Sequence, residues 1–215
     1  MQLKAIFIKQ LLTANARGRI TMIANTVNYP VHPLISERWS PRAMSGESIS
    51  HDQLMTIFKA GSLAPSSFNN QPWTFIYANR ETPDWEIFFN LLVPFNQEWT
   101  KNAAVLVVVV SKNNFYSTGK PSRTHSFDTG AAWENMALQA SADNLVAHGM
   151  EGFDYDATCT LLSIPDDHTA EMMFALGKPA NDLSVLSTEL QEKEKRSDRV
   201  PLEQVVCKGK FKLLR

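Results

Sequence analysis

The sequence predicts an α+β fold in which a central mixed, mainly antiparallel sheet is covered by helices. The run Ala103–Val110 is short, β-branched and bounded by polar residues, which is typical of a strand buried inside a sheet. Helical and strand-like segments interleave along the chain without strict βαβ units, which favours the α+β class. A chain of 215 residues, 44% of them hydrophobic, suits one domain with a proper core.

A capping box predicts the start of the first clear helix. Ser50 and Gln53 form the box, and the apolar residues that follow have helical spacing until Pro65 ends the helix. A polar loop leads to Thr74–Ala78, which alternates like a strand. One face of a second predicted helix carries Trp85, Phe88, Phe89 and Leu92.

The second half of the chain is predicted to hold one long helix. After a polar loop at residues 111–126, this helix runs from Asp128, its predicted N-cap, to Ala147. A glycine-containing turn follows. A short helix near 155–163 and a strand near 169–176 complete the predicted core.

Both ends of the chain are predicted to lie outside this core. Residues 1–25 carry several basic side chains and are expected to be a poorly ordered extension, so the domain spans 26–215. From about residue 178 a C-terminal extension follows, with a charged stretch at residues 189–199. This tail is too polar to build a core of its own, so it should be solvated or lie on another surface.

Composition disfavours several classes of function. The formal net charge of −1 does not suggest a surface for nucleic acid or for anionic membranes, and no apolar run reaches the ~20 residues of a membrane span. Cys159 and Cys207 form no CxxC motif and are interpreted as idle thiols in a reducing compartment, the cytoplasm. The five histidines show no metal-ligand spacing, so no metal site is expected. His125 and His148 could line a pocket or be ordinary core or surface histidines.

Two segments in the first half of the chain could bind a ligand. Arg38 and Arg42 flank Ser40, and two guanidiniums with a hydroxyl between them suit phosphate or another oxyanion. The alternative is a surface turn with solvated arginines. The segment 65–73 is dense in amide and hydroxyl groups, which suits the edge of a planar heterocycle. Its alternative is a polar loop held by Asx turns.

Two further segments lie in the second half. Gly149 and Gly152 flank Met150 and Glu151, and glycines here would let backbone N–H groups approach a ligand closely. A plain turn after a helix explains them equally well. Residues 195–199 form a basic patch that, judged alone, is a charged tail.

Together these segments resemble the nitroreductase family over about residues 35–206. The family's Arg-x-Ser-x-Arg/Lys signature is matched by Arg38, Ser40 and Arg42. Its Pro-Ser-Ser-x-Asn-x-Gln-Pro-Trp loop is matched by Pro65, Ser66, Ser67, Asn69, Gln71, Pro72 and Trp73. The remaining matches are the pair Phe95-Asn96, the turn Glu151–Asp154 and the closing Arg199–Pro201. These pieces occur in the family's order and at its spacing.

The resemblance implies a homodimer with a nitroreductase-like fold that holds FMN between its subunits. Arg38 and Ser40, with a basic group among Lys195, Arg196 and Arg199, would bind the phosphate. Ser197 stands where many relatives have Lys or Arg, and Arg196 would substitute for it. The C-terminal tail would extend onto the partner subunit.

The resemblance also implies contacts to the flavin ring. Arg42 would face N1–C2=O, where a cation stabilises the negative charge of the reduced ring. Asn96 would bond the pyrimidine edge, and the backbone around Met150, Glu151 and Gly152 would meet N5 and O4. The loop that comes from the partner subunit would contribute Pro65, Ser66, Ser67, Asn69 and Gln71.

The function implied is a two-electron reductase with a ping-pong mechanism. NAD(P)H would reduce FMN, and a nitroaromatic, quinone or similar small acceptor would then be reduced. No catalytic side chain is expected, because the hydride chemistry takes place at flavin N5. Two alternatives are a non-catalytic flavin carrier or sensor and a reductive dehalogenase-type branch of the same fold.

Overall fold

The computed structural model describes residues 29–213 and, before them, two short paired strands, β1 (Thr13–Ala14) and β2 (Ile20–Thr21). The chain divides into two compact units, Met1–Pro33 and Leu34–Arg215. Apart from the backbone of these two strands, the predicted N-terminal extension of residues 1–25 lies outside the described residues. Everything that follows concerns the second unit.

A four-stranded sheet forms the centre of this unit. Its strands are β3 (Trp73–Asn79), β4 (Val105–Lys112), β5 (Val146–Met150) and β6 (His168–Gly177), in the order β3-β4-β6-β5. Every neighbouring pair in this sheet is antiparallel. The strand predicted at Ala103–Val110 is confirmed as β4, the inner strand that pairs with both β3 and β6.

Helices cover both faces of the sheet. The helices in the described part of the chain are α1 (Pro33–Glu37), α2 (His51–Ser62), α3 (Trp85–Leu91), α4 (Pro94–Thr100), α5 (His125–Ala142), α6 (Tyr155–Leu161) and α7 (Thr188–Lys193). Short 3₁₀ helices lie at Ser67–Asn69, Leu183–Val185 and Leu202–Gln204. The predicted α+β class is confirmed. In the described part of the chain, no helix is both long and apolar enough to cross a membrane.

The alternation of side chains along β4 divides the core in two. Val105, Val107 and Val109 pack with residues of α2 and α5 on one face, whereas Leu106, Val108 and Val110 pack with α3 and α4 on the other. Gly61 lets α2 approach α5 closely, because a Cβ there would lie 2.8 Å from Met136 Cγ. The period of two along a strand thus builds two layers of helices on one sheet.

The capping box is confirmed at the start of α2. Ser50 Oγ accepts the N–H of Gln53, and the Gln53 side chain accepts the N–H of Ser50 in return. The predicted strand near 169–176 and the short helix near 155–163 are also confirmed, as β6 and α6.

The predicted limits of the long helix are wrong at both ends. The N-cap is Thr124, not Asp128, and the Asp128 carboxylate instead accepts the N–H of Ser67 and the hydroxyl of Thr124. The helix ends at Ala142 because Asn144 takes a left-handed conformation with φ of 55°. The N–H of Leu145 then returns to Ala140 O, as in a Schellman motif. The residues up to Ala147, predicted as helix, therefore belong to β5 and its approach.

The C-terminal tail is more firmly attached than its composition suggests. Leu186 and Leu190 are buried in the same core layer as α3 and α4, and Leu190 is only 1% exposed. Beyond them the apolar side chains of Val200, Leu202, Val205 and Val206 are exposed. The prediction that the tail lies outside the core is therefore wrong for its first part, because Leu186 and Leu190 join the main core.

Candidate functional site

A basic cavity of about 480 Å³ brings together two segments that are far apart in the sequence. Arg38, Ser40 and Arg42 line it from the loop after α1, and Lys195, Arg196 and Arg199 line it from the tail. His148, on β5, also lines the cavity. The two predicted phosphate-binding segments therefore face the same space, which suits a multiply charged anion.

The arginine loop is held by contacts within the protein. Arg38 Nη1 donates to Ser40 Oγ over 3.2 Å, and Arg38 Nε lies 3.7 Å from Glu134 Oε1 on α5. Since its rotamer is already restricted, Arg38 loses little side-chain entropy when it binds a ligand.

Glu194 joins the tail to this loop and was not predicted as a site residue. Its Oε1 accepts the backbone N–H groups of Arg42 and Ala43, over 2.6 and 2.8 Å. Its Oε2 lies 3.9 Å from Arg42 Nη1, and the Glu194 side chain is only 3% exposed. Because the contact spans more than 150 residues of sequence, no local pattern could reveal it.

The Arg42 guanidinium has a buried donor without a partner among the described residues. Its Nε is buried and has no hydrogen-bond partner there. A buried guanidinium N–H without a partner is costly, so such a group is suited to a ligand that supplies an acceptor.

His148 lies beside the loop as a neutral base. Its Nδ1 is 2.9 Å from the carbonyl of Pro41, which can only accept, so Nδ1 carries the proton and Nε2 is left as an acceptor. Burial lowers the pKa of His148 below its ordinary value, and the charge of Arg42 lowers it further, against the raising effects of Pro41 and Glu194. Its ring also lies 4.6 Å from that of Trp99. Of the two histidines considered for a pocket, His148 lines this cavity.

Two more of the predicted site residues contact each other directly. Asn96 Nδ2 donates to Gly152 O over 3.0 Å, and Asn96 Oδ1 accepts from Trp99 Nε1 over 3.3 Å. A Cβ on Gly152 would lie 2.8 Å from Asn96 Nδ2 and from Val93 Cγ2. The close backbone approach predicted from this glycine is thus an approach to Asn96. Met150 is buried at the end of β5, and Glu151 is exposed.

The loop of residues 65–71 does not line the cavity. Ser67 donates its N–H to Asp128, and Gln71 donates its own to Ser66 Oγ over 2.9 Å. Phe68, Asn69 and Gln71 all have left-handed backbone angles, with φ of 53°, 54° and 49°. The Phe68 side chain is 93% exposed. A bulky residue at positive φ with an exposed ring is an unusual combination that often marks a functional loop.

A second cluster of polar side chains was not predicted from the sequence. His125 Nδ1 lies 2.8 Å from Ser111 Oγ, and both Ser111 and Ser126 donate to Glu171 Oε1. His125 belongs to this cluster and not to the basic cavity. In the described part of the chain, no group of three or more His, Cys, Asp or Glu residues could hold a metal ion.

Replacing Gly152 should destabilise the fold around Asn96. Gly152→Ala places a Cβ against Asn96 and Val93, and we expect it to lower the free energy of unfolding by about 1–3 kcal/mol. The matched control is Gly130→Ala on α5, where a Cβ meets nothing within 4 Å. There a better helix former should add about 0.5–1 kcal/mol. Urea unfolding measures both, and equal effects of the two substitutions would contradict the close contact.

The lowered pKa of His148 should make stability fall in acid. Below the ordinary pKa of 6.5 the unfolded chain takes up a proton at His148 that the folded protein does not. The free energy of unfolding therefore keeps its full value above about pH 6.5 and decreases below that pH. His148→Asn keeps a donor for Pro41 O but cannot titrate. Its unfolding free energy should therefore decrease less than that of the wild type between about pH 7.5 and about pH 5.5. Parallel curves for the two proteins would exclude this contribution.

Comparison with known proteins places this geometry in a family. The model of the nitroreductase family matches residues 35–84 and 82–178. A protein of Archaeoglobus fulgidus, provisionally named NADH dehydrogenase/NAD(P)H nitroreductase, is 28% identical over 154 residues, which are 69% of this chain and 85% of that protein.

Solved structures give the same result. A crystal structure described as an oxidoreductase containing FMN is 42% identical, with a TM-score of 0.82 over 93% of this chain and 99% of that one. A provisionally assigned nitroreductase of Desulfovibrio desulfuricans, in complex with FMN, is 26% identical, with a TM-score of 0.65 over 86% of this chain and 100% of that one. The family model covers most of the second unit, and the chain belongs to the nitroreductase family.

Proposed function

We propose that this protein is an FMN-dependent NAD(P)H oxidoreductase that reduces nitroaromatic, quinone or similar small acceptors. The observation that carries the proposal is the basic cavity at Arg38, Ser40 and Arg42 in a chain of this family. The relative with 42% identity contains FMN, and the Archaeoglobus fulgidus relative is named for NAD(P)H.

The charges of the cavity fit a flavin phosphate. Arg38 and Ser40 offer a guanidinium and a hydroxyl side by side, and the tail offers Arg196 and Arg199 across the same space. A phosphate monoester carries up to two negative charges, which several directed donors can share. We assign the phosphate to these residues, with Lys195 as a further cation.

Other donors near the cavity suit the flavin ring. The unpartnered Nε of Arg42 would face N1–C2=O, where its charge stabilises the reduced ring. Asn96 uses one amide hydrogen within the protein and keeps the other for the pyrimidine edge. The backbone of Met150, Glu151 and Gly152 would meet N5 and O4.

When bound, FMN would supply the redox chemistry, taking hydride from NAD(P)H and passing it to the acceptor in a separate half-reaction. The side chains would bind and orient FMN and tune its potential, with no catalytic acid or base required. His148 would remain neutral against Arg42, so that it adds no further positive charge to the ring site.

The geometry of the 65–71 loop supports a homodimer. In one chain this loop lies outside the cavity, yet its backbone is held at unfavourable angles and it presents Phe68 to solvent. A partner subunit would give the loop a function, with Pro65, Ser66, Ser67, Asn69 and Gln71 contacting the partner's FMN. The exposed apolar residues after Arg199 would likewise cover the partner. A cytoplasmic location stays a prediction, supported by the two free thiols Cys159 and Cys207.

Reduction of the bound FMN by NADH or NADPH tests the function. We expect the purified protein to be yellow with non-covalent FMN, and its flavin absorbance to bleach under anaerobic NADH or NADPH and recover on addition of a quinone or nitroaromatic. A flavin carrier would bind FMN without bleaching. A protein that gains no flavin on incubation with FMN would overturn the whole proposal.

The same preparation also tests the assembly. Sedimentation of the FMN-loaded protein should give the mass of two chains. A stable FMN-loaded monomer at micromolar concentration would contradict the shared site.

Arginine variants test the assigned roles. Arg38→Ala or Arg199→Ala removes a charge-assisted hydrogen bond of roughly 1.5–3 kcal/mol and should weaken FMN binding about 10- to 150-fold. Arg42→Ala should instead make the midpoint potential of bound FMN more negative by about 30 mV, since ~1.4 kcal/mol corresponds to that shift for two electrons. Lys101, which is exposed and outside the cavity, provides the control Lys101→Ala.

Spectroelectrochemistry at saturating FMN measures the potentials. If Arg42→Ala leaves the potential unchanged while Arg38→Ala or Arg199→Ala moves it, the roles are assigned to the wrong arginines.

A further inference from the structure

We propose that Glu194 is a positioning residue for the cofactor site. Its carboxylate would fasten the basic tail to the loop of residues 38–43 and hold the Arg42 guanidinium beside it. This inference rests on the proposed function, because the site that Glu194 positions is the proposed FMN site.

The carboxylate has the contacts of a fixed anchor. Glu194 follows the last residue of α7, a helix held to the core by the buried Leu190. From there Oε1 receives two backbone N–H groups of the arginine loop, at 2.6 and 2.8 Å. Burial of a carboxylate is costly unless it is both hydrogen-bonded and charge-paired. Here Oε1 accepts both N–H groups, whereas Oε2 has no hydrogen-bond partner among the described residues and is compensated only by the Arg42 guanidinium, 3.9 Å away.

The anchor determines where the neighbouring cations lie. Lys193 and Lys195 flank Glu194 and line the cavity, followed by Arg196. Because the residue between the two lysines is fixed to the loop, the tail cannot leave the cavity wall without breaking the Glu194 contacts. The positive charge of the phosphate site thus depends on one buried negative charge.

The arginine loop itself has a second attachment. Ala43 O accepts the N–H of Ala180 over 3.0 Å, and Ser45 donates its N–H to Lys178 O over 3.0 Å. Loss of Glu194 should therefore release the tail from residue 194 onward while the loop and the core remain folded. This separates a role in positioning from a role in overall stability.

Two substitutions separate the anchor from its charge. Glu194→Ala removes both, whereas Glu194→Gln keeps an oxygen that can accept the two N–H groups, loses the charge and places an NH2 group where Oε2 faces Arg42. Glu192, which is exposed on α7, provides the matched controls Glu192→Ala and Glu192→Gln.

Flavin binding to the apoprotein tests whether Glu194 positions the basic tail. The apoprotein is titrated with FMN and, separately, with riboflavin, and quenching of flavin fluorescence gives the two affinities. The ratio of the FMN affinity to the riboflavin affinity measures how much the phosphate contributes to binding. We expect Glu194→Ala to lower this ratio roughly tenfold and Glu194→Gln to keep it within about threefold of wild type. Trypsin should cleave after Lys195, Arg196 or Arg199 faster in flavin-free Glu194→Ala than in Glu192→Ala.

The midpoint potential of bound FMN measures the effect of the negative charge of Glu194. Glu194→Gln removes a negative charge beside Arg42, so binding of the reduced flavin should gain about tenfold over the oxidised form, a shift of about 30 mV to more positive potential. A residue that only holds the fold together would not move the potential in the glutamine variant.

The outcomes separate the inference from the function. A wild-type protein that binds no FMN refutes the function, and the trypsin comparison still decides whether Glu194 anchors the tail. A wild-type protein that binds FMN, with Glu194→Ala giving the affinity ratio and cleavage rate of Glu192→Ala, overturns the inference. Should Glu194→Ala fail to fold, the glutamine variant decides, and a potential equal to that of Glu192→Gln overturns the role of the charge.

Discussion

The burial of β4 on both faces is the constraint on which the rest of this fold depends. A strand that carries valine or leucine on each side cannot leave either face of its sheet in water, so helices must cover both. Helices α2 and α5 form one layer, and α3 and α4 with the start of the tail form the other. The basic cavity lies where β5, the loop after α1 and the tail meet beside this second layer.

The charges of the arginine loop are balanced locally, whereas Lys195, Arg196 and Arg199 on the tail leave the cavity basic. Arg38 has Glu134 within 3.7 Å, Arg42 has Glu194 within 3.9 Å, and His148 is kept neutral by its burial. Unpaired cations this close together would repel one another in a poorly solvated space. The partners hold the arginines in place before any ligand arrives, so less ordering has to accompany binding.

Much of the fold and part of the site could be predicted from the sequence. β4 and the capping box of α2 are local patterns, and Arg38, Ser40 and Arg42 form a compact motif. The end of α5 could not be predicted, because Leu145 and Ala147 continue a helical pattern and only the left-handed Asn144 reveals the break. Asp128 is a good capping residue used for another purpose, a tie to Ser67. Glu194 accepts the N–H of Arg42, which lies 152 residues earlier in the sequence, and no local pattern includes such a pair.

The tie at Asp128 has a consequence for the evolution of this protein. The carboxylate fixes Ser67 and Thr124 to one point at the start of α5. The polar segment between β4 and Thr124 is also joined to the 65–71 loop, because Tyr116 donates its N–H to Asn70 Oδ1 over 2.9 Å and the Phe115 ring lies 5.9 Å from that of Phe68. Insertions are tolerated best where a loop is exposed and makes few contacts. Here those positions are residues 117–119, where an insertion would leave the contacts to the strained loop in place.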